Sequence, residues 1–236
     1  MKKEIFINES MGETRIAIQE DSQLVEVYIE KQDKHRMVGN VYKGKVENVL
    51  PGMQAAFVDI GNDLNAFLPF SEIGNNEYII EDSGNKHSRN NNRRHDNIEV
   101  DLKKGQEIYV QVIKEPFAGK GPRVTTEVAL PGRLLVLVPN ENYIGISKKI
   151  WDKYERRRLK KVAQQLRESN TGVIIRTVAE GKSEELIEND FNQLMENWDK
   201  MEKISAREKA PVIVYEDLET ASSVVMDLLT PDVEKI

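Results

Sequence analysis

Two short segments carry the residues with the most direct chemical potential. In Ala56-Phe57-Val58-Asp59-Ile60, strand alternation turns Ala56, Val58 and Ile60 to one face and leaves Phe57 and Asp59 on the other. The same count over Ala66-Phe67-Leu68 sends Leu68 inward and Phe67 outward. Two benzyl rings on an outer strand face, with Lys43, Lys45, Lys114 and Lys120 as candidate neighbours, can stack on nucleobases at about 1 to 3 kcal/mol each, while the ammonium groups meet phosphates. The same rings could equally pack against a neighbouring domain. Arg176 is a separate candidate, because it ends the apolar run Gly172 to Ile175 just before a helix start. A guanidinium so placed can grip a phosphate through two parallel hydrogen bonds, or serve as an ordinary surface ion-pair partner.

Other chemistries are excluded. Gly181-Lys182-Ser183 lacks the glycine that a phosphate-binding loop needs five residues before Gly181, since that position is Arg176. There are no cysteines, so a disulfide framework, a thiolate zinc site and a cysteine nucleophile are out. Three histidines, at 35, 87 and 95, are too scattered to suggest a metal cluster. Asp59 belongs to a strand, while Asp217 and Glu219 sit in a polar turn, and none is assigned to catalysis. No residue of this sequence is therefore assigned to catalysis or to holding a metal.

The elements that must position these residues follow from periodicity. Glu4 to Asn8, Thr14 to Gln19 and Leu24 to Ile29 read as a meander of three strands. Val38 to Val49, Ala55 to Ile60, Ala66 to Leu68, Glu107 to Ile113 and Arg123 to Leu130, punctuated by glycines, read as a small five-stranded barrel. Leu134 to Val138 is a further strand, after which Trp151, Tyr154, Leu159, Val162, Ala163 and Leu166 recur at helical spacing. A strand over Gly172 to Arg176 precedes a second helix traced by Leu186, Ile187, Phe191, Leu194, Trp198 and Met201, with Ser183 as its N-cap and Glu184 and Glu185 in its first turn. Val212 to Tyr215 reads as a strand and Ala221 to Leu229 as a last helix.

The 236 residues, 39% apolar, can supply a real core, and 34 cations against 40 acids leave a net charge of −6. Any affinity for nucleic acid must come from local basic patches. Ser83 to Asn97, rich in asparagine and carrying Lys86, Arg89, Arg93 and Arg94, cannot pack. It is either a solvated loop between two barrel strands or a basic flap facing nucleic acid. The amino terminus lacks a signal-peptide core, and no apolar run reaches the roughly 18 residues of a membrane span. A reducing, cytoplasmic setting and no membrane span are expected.

Larger motifs carry a resemblance. Gly39-Asn40-Val41-Tyr42-Lys43-Gly44-Lys45-Val46, then Leu50 to Gly61 and Ala66-Phe67-Leu68-Pro69, resembles the S1 RNA-binding domain of the ribonuclease E/G family. The likeness extends through Glu13 to Ala17, Gly119-Lys120-Gly121, Val124 to Thr126, Gly145 to Ile150, Gly172 to Thr177 and Gly181 to Ser183, and covers nearly the whole chain outside the asparagine-rich insert. The Leu50 to Gly61 stretch is closer to the ribonuclease G branch.

The resemblance implies an α+β fold in which a five-stranded S1 (OB-fold) barrel is inserted into a partial ribonuclease H-like subdomain and followed by an α/β region that senses the 5′ end of RNA. The corresponding divisions are 1–36 for the first part of the subdomain, 37–128 for S1 with a disordered insert at 83–97, 129–220 for the sensor, and 221–236 for the start of the second part. It also implies that Phe57, Phe67 and Lys120 contact single-stranded RNA. Ile60 stands where some members carry a tyrosine that helps hold it. Arg176 and Thr177 match the family's 5′-phosphate pair, with Gly132 and Val136 lining that pocket and Lys148 standing where the family has an arginine near the terminal base. Lysine keeps the charge but loses the planar surface.

The family activity implied is a Mg2+-dependent endoribonuclease acting in RNA decay and ribosomal RNA maturation, a homo-oligomer (dimer or tetramer) at full length. Its metal-holding carboxylates belong to a later domain, so no cofactor is expected in this chain, which is expected to bind RNA and cut none. Alternatives from other classes are a non-catalytic S1-type RNA-binding regulator and an oligomerisation scaffold.

Overall fold

The computed structural model describes residues 2–10, 12–31, 36–74, 102–167, 170–217 and 233–235. The insert at Ser83 to Asn97 and the helix expected over Ala221 to Leu229 lie outside the described residues. The chain divides into two compact units, one formed by 1–37 with 217–236 and the other by 38–216.

In the first unit, β1 (Lys3–Ser10), β2 (Glu13–Glu20) and β3 (Gln23–Lys31) form the expected antiparallel meander. The last strand of the chain, β14 (Val233–Lys235), runs parallel to β1 and completes a sheet ordered β14-β1-β2-β3. Alternation in β2 buries Ile16 and Ile18, and Ile16 packs with Ile5 of β1 and Val233 of β14.

The second unit opens with the barrel. β4 (Val41–Leu50), β5 (Ala55–Asp59), β6 (Ala66–Pro69), β7 (Glu107–Lys114) and β8 (Arg123–Thr125) pair in the order β4-β5-β6-β8-β7, and pairing of β4 with β7 closes the ring. Val46, Val58, Leu68, Ile108, Val110 and Val124 fill its interior. Gly44 is required by that closure: a Cβ there would stand 2.5 Å from a methyl of Val58.

Arg123 to Leu130 is not one strand, as the apolar run suggested. β8 ends at Thr125 and a separate β9 (Leu130–Pro131) begins five residues later. Backbone groups in between are taken by side chains and by a turn. The Thr125 hydroxyl accepts from the Glu127 amide and donates to the Glu72 carbonyl. The Gln111 side chain accepts from the Ala129 amide and donates to the Ala129 and Gly39 carbonyls. Once these local bonds satisfy the backbone, the ladder has nothing to pair with.

A second sheet orders β11 (Ile144–Ile146), β12 (Thr171–Ile175), β10 (Leu135–Pro139) and β9. The sequence reading missed β11, a three-residue strand beginning between polar residues. Helices α1 (Lys153–Leu166) and α2 (Glu184–Arg207) pack on this sheet. Leu159, Val162 and Ala163 of α1 and Ile187, Phe191, Leu194, Trp198 and Met201 of α2 are buried, as their spacing required. Ser183 caps α2 by accepting from the Leu186 amide. Trp151 and Tyr154, expected on the buried stripe of α1, are instead exposed. Asp152 accepts from the Tyr154 amide and starts the helix after Trp151. β13 (Val212–Tyr215) pairs antiparallel with β4 and adds a sixth strand to the barrel sheet. The core is continuous from Val41 and Tyr109 of the barrel through Leu130 and Leu137 to both helices, with the rings of Tyr109 and Trp198 centred 5.8 Å apart. Barrel and second sheet therefore form one packed body.

Candidate nucleic-acid interface

Phe57 and Phe67 are direct cross-strand partners on β5 and β6. Their rings meet edge to face, with centroids 5.9 Å apart and planes at 61°, and both are half-buried. Ala56, Val58 and Leu68 beside them are buried, so the alternation places the two rings on the outer wall. Register continues this wall sideways: Phe67 pairs with Arg123, Arg123 with Lys114, and Lys45 faces Asp59 two residues from Phe57. Lys45 and Lys114 are exposed. Arg123 is held by Glu72 at 2.7 Å, while the Asp59 carboxylate accepts from the Gly61 amide at 2.9 Å. Outward alternation from Val124 would have identified Arg123 in the sequence.

Lys120 lies in the turn that brings the chain back to this wall. Its amide and carbonyl pair with those of Phe117, and the Phe67 amide donates to the Pro122 carbonyl at 2.8 Å. Gly121 between them runs against the backbone of Asn65, where any Cβ would collide with the Asn65 carbonyl. Lys120 is exposed, and Phe117 at the same turn is 82% exposed.

Lys43 is a correction. Only 6% exposed, its Nζ lies 2.8 Å from Glu107 Oε2 and donates to the carbonyls of Ser205 and Glu208, each at 2.9 Å. It closes the C-terminal end of α2 onto the barrel and has no face toward solvent. The Lys43 ammonium, first among the causes, holds the Glu107 carboxyl below the usual range. Lysine type and strand position suggested a surface cation, and sequence gave no sign that the end of α2 would cover it.

The second group gathers at one end of the β11-β12-β10-β9 sheet. Arg176 directly follows β12, its amide donates to the Leu134 carbonyl at 2.8 Å, and its Nη1 donates to the Gly132 carbonyl at 2.7 Å. The Thr177 and Ser147 hydroxyls are 2.7 Å apart, and the Ser147 amide donates to the Ile175 carbonyl. Val136 pairs with Ile174, two residues before Arg176, and Lys148 is exposed next to Ser147. The geometry thus brings Arg176, Thr177 and Gly132 together, with Val136 and Lys148 on adjoining backbone.

Asp190 of α2, which sequence reading passed over, builds this corner. Its Oδ2 accepts from the Leu134 and Leu135 amides at 2.8 and 3.1 Å, and its Oδ1 from the Arg133 amide at 3.1 Å. A Cβ on Gly132 would come within 2.7 Å of Asp190 Oδ2, so glycine is needed for the carboxylate to approach. The signal was present in the sequence: Asp190 is three residues after Ile187 and four before Leu194, at the buried edge of the helix.

Among the described residues, no group of three or more histidine, aspartate or glutamate side chains is arranged to hold a metal ion. Likewise no described helix is long and apolar enough to cross a membrane.

A closed barrel of five strands is the architecture of the oligonucleotide-binding fold, and residues 35–125 match the S1 RNA binding domain. Residues 129–236 match the Ribonuclease E/G family. Ribonuclease G of Salmonella typhimurium is 38% identical over 236 residues, which is 100% of this chain and 47% of that protein. Ribonuclease G of Escherichia coli is 37% identical over the same span and the same shares. Ribonuclease E of a Nostoc species is 34% identical over 230 residues, covering 94% of this chain and 32% of that protein. The chain belongs to the ribonuclease E/G family. It spans about half the length of the ribonuclease G relatives it matches.

Proposed function

We propose that this chain is the RNA-capturing portion of an endoribonuclease. Single-stranded RNA lies across the outer wall of the barrel, bases on Phe57 and Phe67 and phosphates on Lys45, Lys114 and Lys120. Its 5′-monophosphate is taken at Arg176 and Thr177, with Gly132 and Val136 shaping the pocket and Lys148 beside the first nucleotide. The observation that carries this reading is the edge-to-face pair of rings on the barrel's outer wall, flanked by exposed cations. Half-exposed aromatic rings on a barrel wall bind unpaired bases without regard to sequence, and cations beside them make binding salt-sensitive.

In the same proposal the whole protein hydrolyses phosphodiesters with Mg2+ held by carboxylates. Those carboxylates are assigned to the part of the relatives' length that this chain does not cover, so this chain itself supplies capture and end recognition. RNA decay and ribosomal RNA maturation in the cytoplasm, by a dimer or tetramer, complete the proposal.

The test is a binding titration of short single-stranded RNAs differing only at the 5′ end, run at two salt concentrations. The chain should bind them more tightly than a duplex of the same sequence, more weakly as salt rises, and with a preference for 5′-monophosphate over 5′-hydroxyl. Arg176→Ala should erase that preference and leave circular RNA bound nearly as before. Equal loss on linear and circular RNA would refute the sensor assignment.

A further inference from the structure

The amino-terminal face of α1 is unlike the rest of this acidic chain. Trp151 is 86% exposed and Tyr154 81%, although both are large aromatic side chains. Neither is a loose end. Ser147, four residues before Trp151, is bonded to Thr177 and Ile175, and Arg156 Nη1 donates to the Ser147 and Ile150 carbonyls at 2.7 and 3.1 Å. The turn carrying Trp151 is therefore pinned beside the residues assigned to the 5′ end.

Charge on the same face is one-sided. Lys153, Arg157, Lys160 and Lys161 are exposed, and Tyr154, Arg157 and Lys161 are spaced three and four residues apart, which puts them on one side of the helix. The acidic groups of the first turn are engaged locally. Asp152 caps the helix through the Tyr154 amide, and Glu155 is paired with Arg158 at 2.6 Å and accepts from the Gly181 amide at 2.9 Å. What faces solvent is two aromatic surfaces interleaved with four cations, Lys153 to Lys161, over about 12 Å of helix, against the exposed carboxylate of Asp152 at the cap. Flat rings beside unneutralised cations complement stacked bases and phosphates; a protein partner of ordinary apolar surface would leave the cations unmatched.

We infer that Trp151, Tyr154 and the cationic face of α1 form a second contact surface for single-stranded RNA, taking the nucleotides that follow a 5′ end seated at Arg176 and Thr177. Lys148 offers that strand a charge but no plane, and Trp151 supplies the plane three residues on. This inference rests on the reading that the chain binds single-stranded RNA.

The test uses a convenience of composition. The chain has two tryptophans, and the other, Trp198, is 7% exposed in the core. Fluorescence quenching by added oligonucleotide therefore reports on Trp151. Titrating the 236-residue chain with a 5′-phosphorylated single-stranded 10-mer RNA, followed in parallel by anisotropy of a label on the RNA, should quench that emission at the concentration where anisotropy rises. Trp151→Phe should abolish the quench, because only the buried Trp198 then emits. Trp151→Ala with Tyr154→Ala should weaken binding at least about fivefold, the low end of one lost stacking contact, at an unchanged melting temperature. Arg157→Ala with Lys161→Ala should reduce the salt slope of log affinity by about 1 to 1.5. Anisotropy that rises while Trp151 emission stays constant, with the double aromatic variant binding as wild type, would overturn the inference and leave the proposed function intact. Absence of any RNA binding by the wild-type chain would bring down both. A wild-type dimer in sedimentation that the aromatic variant converts to monomer, with RNA affinity unchanged, would make the face a contact between copies and overturn the inference.

Discussion

Removing the carboxylate of Asp190 should disable end recognition without touching the proposed ligand. Asp190 accepts from three successive amides, those of Arg133, Leu134 and Leu135, at 2.8 to 3.1 Å. That segment also presents the Gly132 carbonyl to Arg176 Nη1 at 2.7 Å and the Leu134 carbonyl to the Arg176 amide at 2.8 Å. Hydrogen bonds to an ionised acceptor are worth about 1.5 to 3 kcal/mol each taken singly. They share one carboxylate and Arg133 is exposed to water, so Asp190→Ala should cost about 2 to 4 kcal/mol in all. For a unit of this size that is a fall of about 5 to 15 °C in melting temperature. Asp190→Asn keeps one acceptor oxygen and turns an amino group toward backbone donors, so it should fall in between. The assay is calorimetry on both variants, followed by RNA titrations at a temperature where each remains folded. Preference for 5′-monophosphate should decline with stability, while binding of circular RNA stays near wild type. A melting temperature unchanged to within about 1 °C would refute the clamp itself. Large destabilisation with undiminished 5′-phosphate preference would refute its role in positioning Arg176.

Other outcomes follow from the same contacts. Lys43→Met should cost about 3 kcal/mol by leaving Glu107 and the carbonyls of Ser205 and Glu208 without their buried partner, yet the folded variant should bind RNA like wild type, as denaturant melts and anisotropy together will show. Glu155 is held at about 2, against an ordinary 4.5, first by its bond to the Arg158 guanidinium and further by the Gly181 amide. The unfolded chain therefore binds the extra proton first as pH falls. This contribution is complete above pH 4.5 and is lost between 4.5 and about 2. Glu155→Gln should lower stability at pH 7 by about 1 to 2 kcal/mol and flatten the acid limb of the stability curve, measured by urea melts across pH.

The sequence was most legible where a short period met a single buried face. In β5 and β6 the two-residue alternation alone placed Phe57 and Phe67 outside and Val58 and Leu68 inside. The spacing of Ile187, Phe191, Leu194, Trp198 and Met201 located α2, and Ser183 marked its start. Legibility failed where side chains replace the ladder, as when Gln111 and Thr125 satisfy the backbone between β8 and β9 and split one apolar run in two. It failed at Lys43 because burial there depends on α2, over 160 residues away, folding back onto β4. It failed at Trp151 and Tyr154 because apolar type was counted as burial, whereas Trp151 precedes the Asp152 cap and Tyr154 lies on a different side of the helix from buried Leu159, Val162 and Ala163. Local pattern thus located the barrel wall, and long-range contacts decided which cations stayed on it.

The account's central claim is that the barrel wall stacks unpaired bases on Phe57 and Phe67. It is tested most directly by measuring, at one fixed salt concentration, the affinity of a short single-stranded RNA for the wild-type chain and for Phe57→Ala with Phe67→Ala. If both stacking contacts are made and add, the double variant should bind more weakly by about 2 to 6 kcal/mol while retaining its circular dichroism spectrum and its salt slope. An affinity equal to wild type in a folded double variant would contradict the claim.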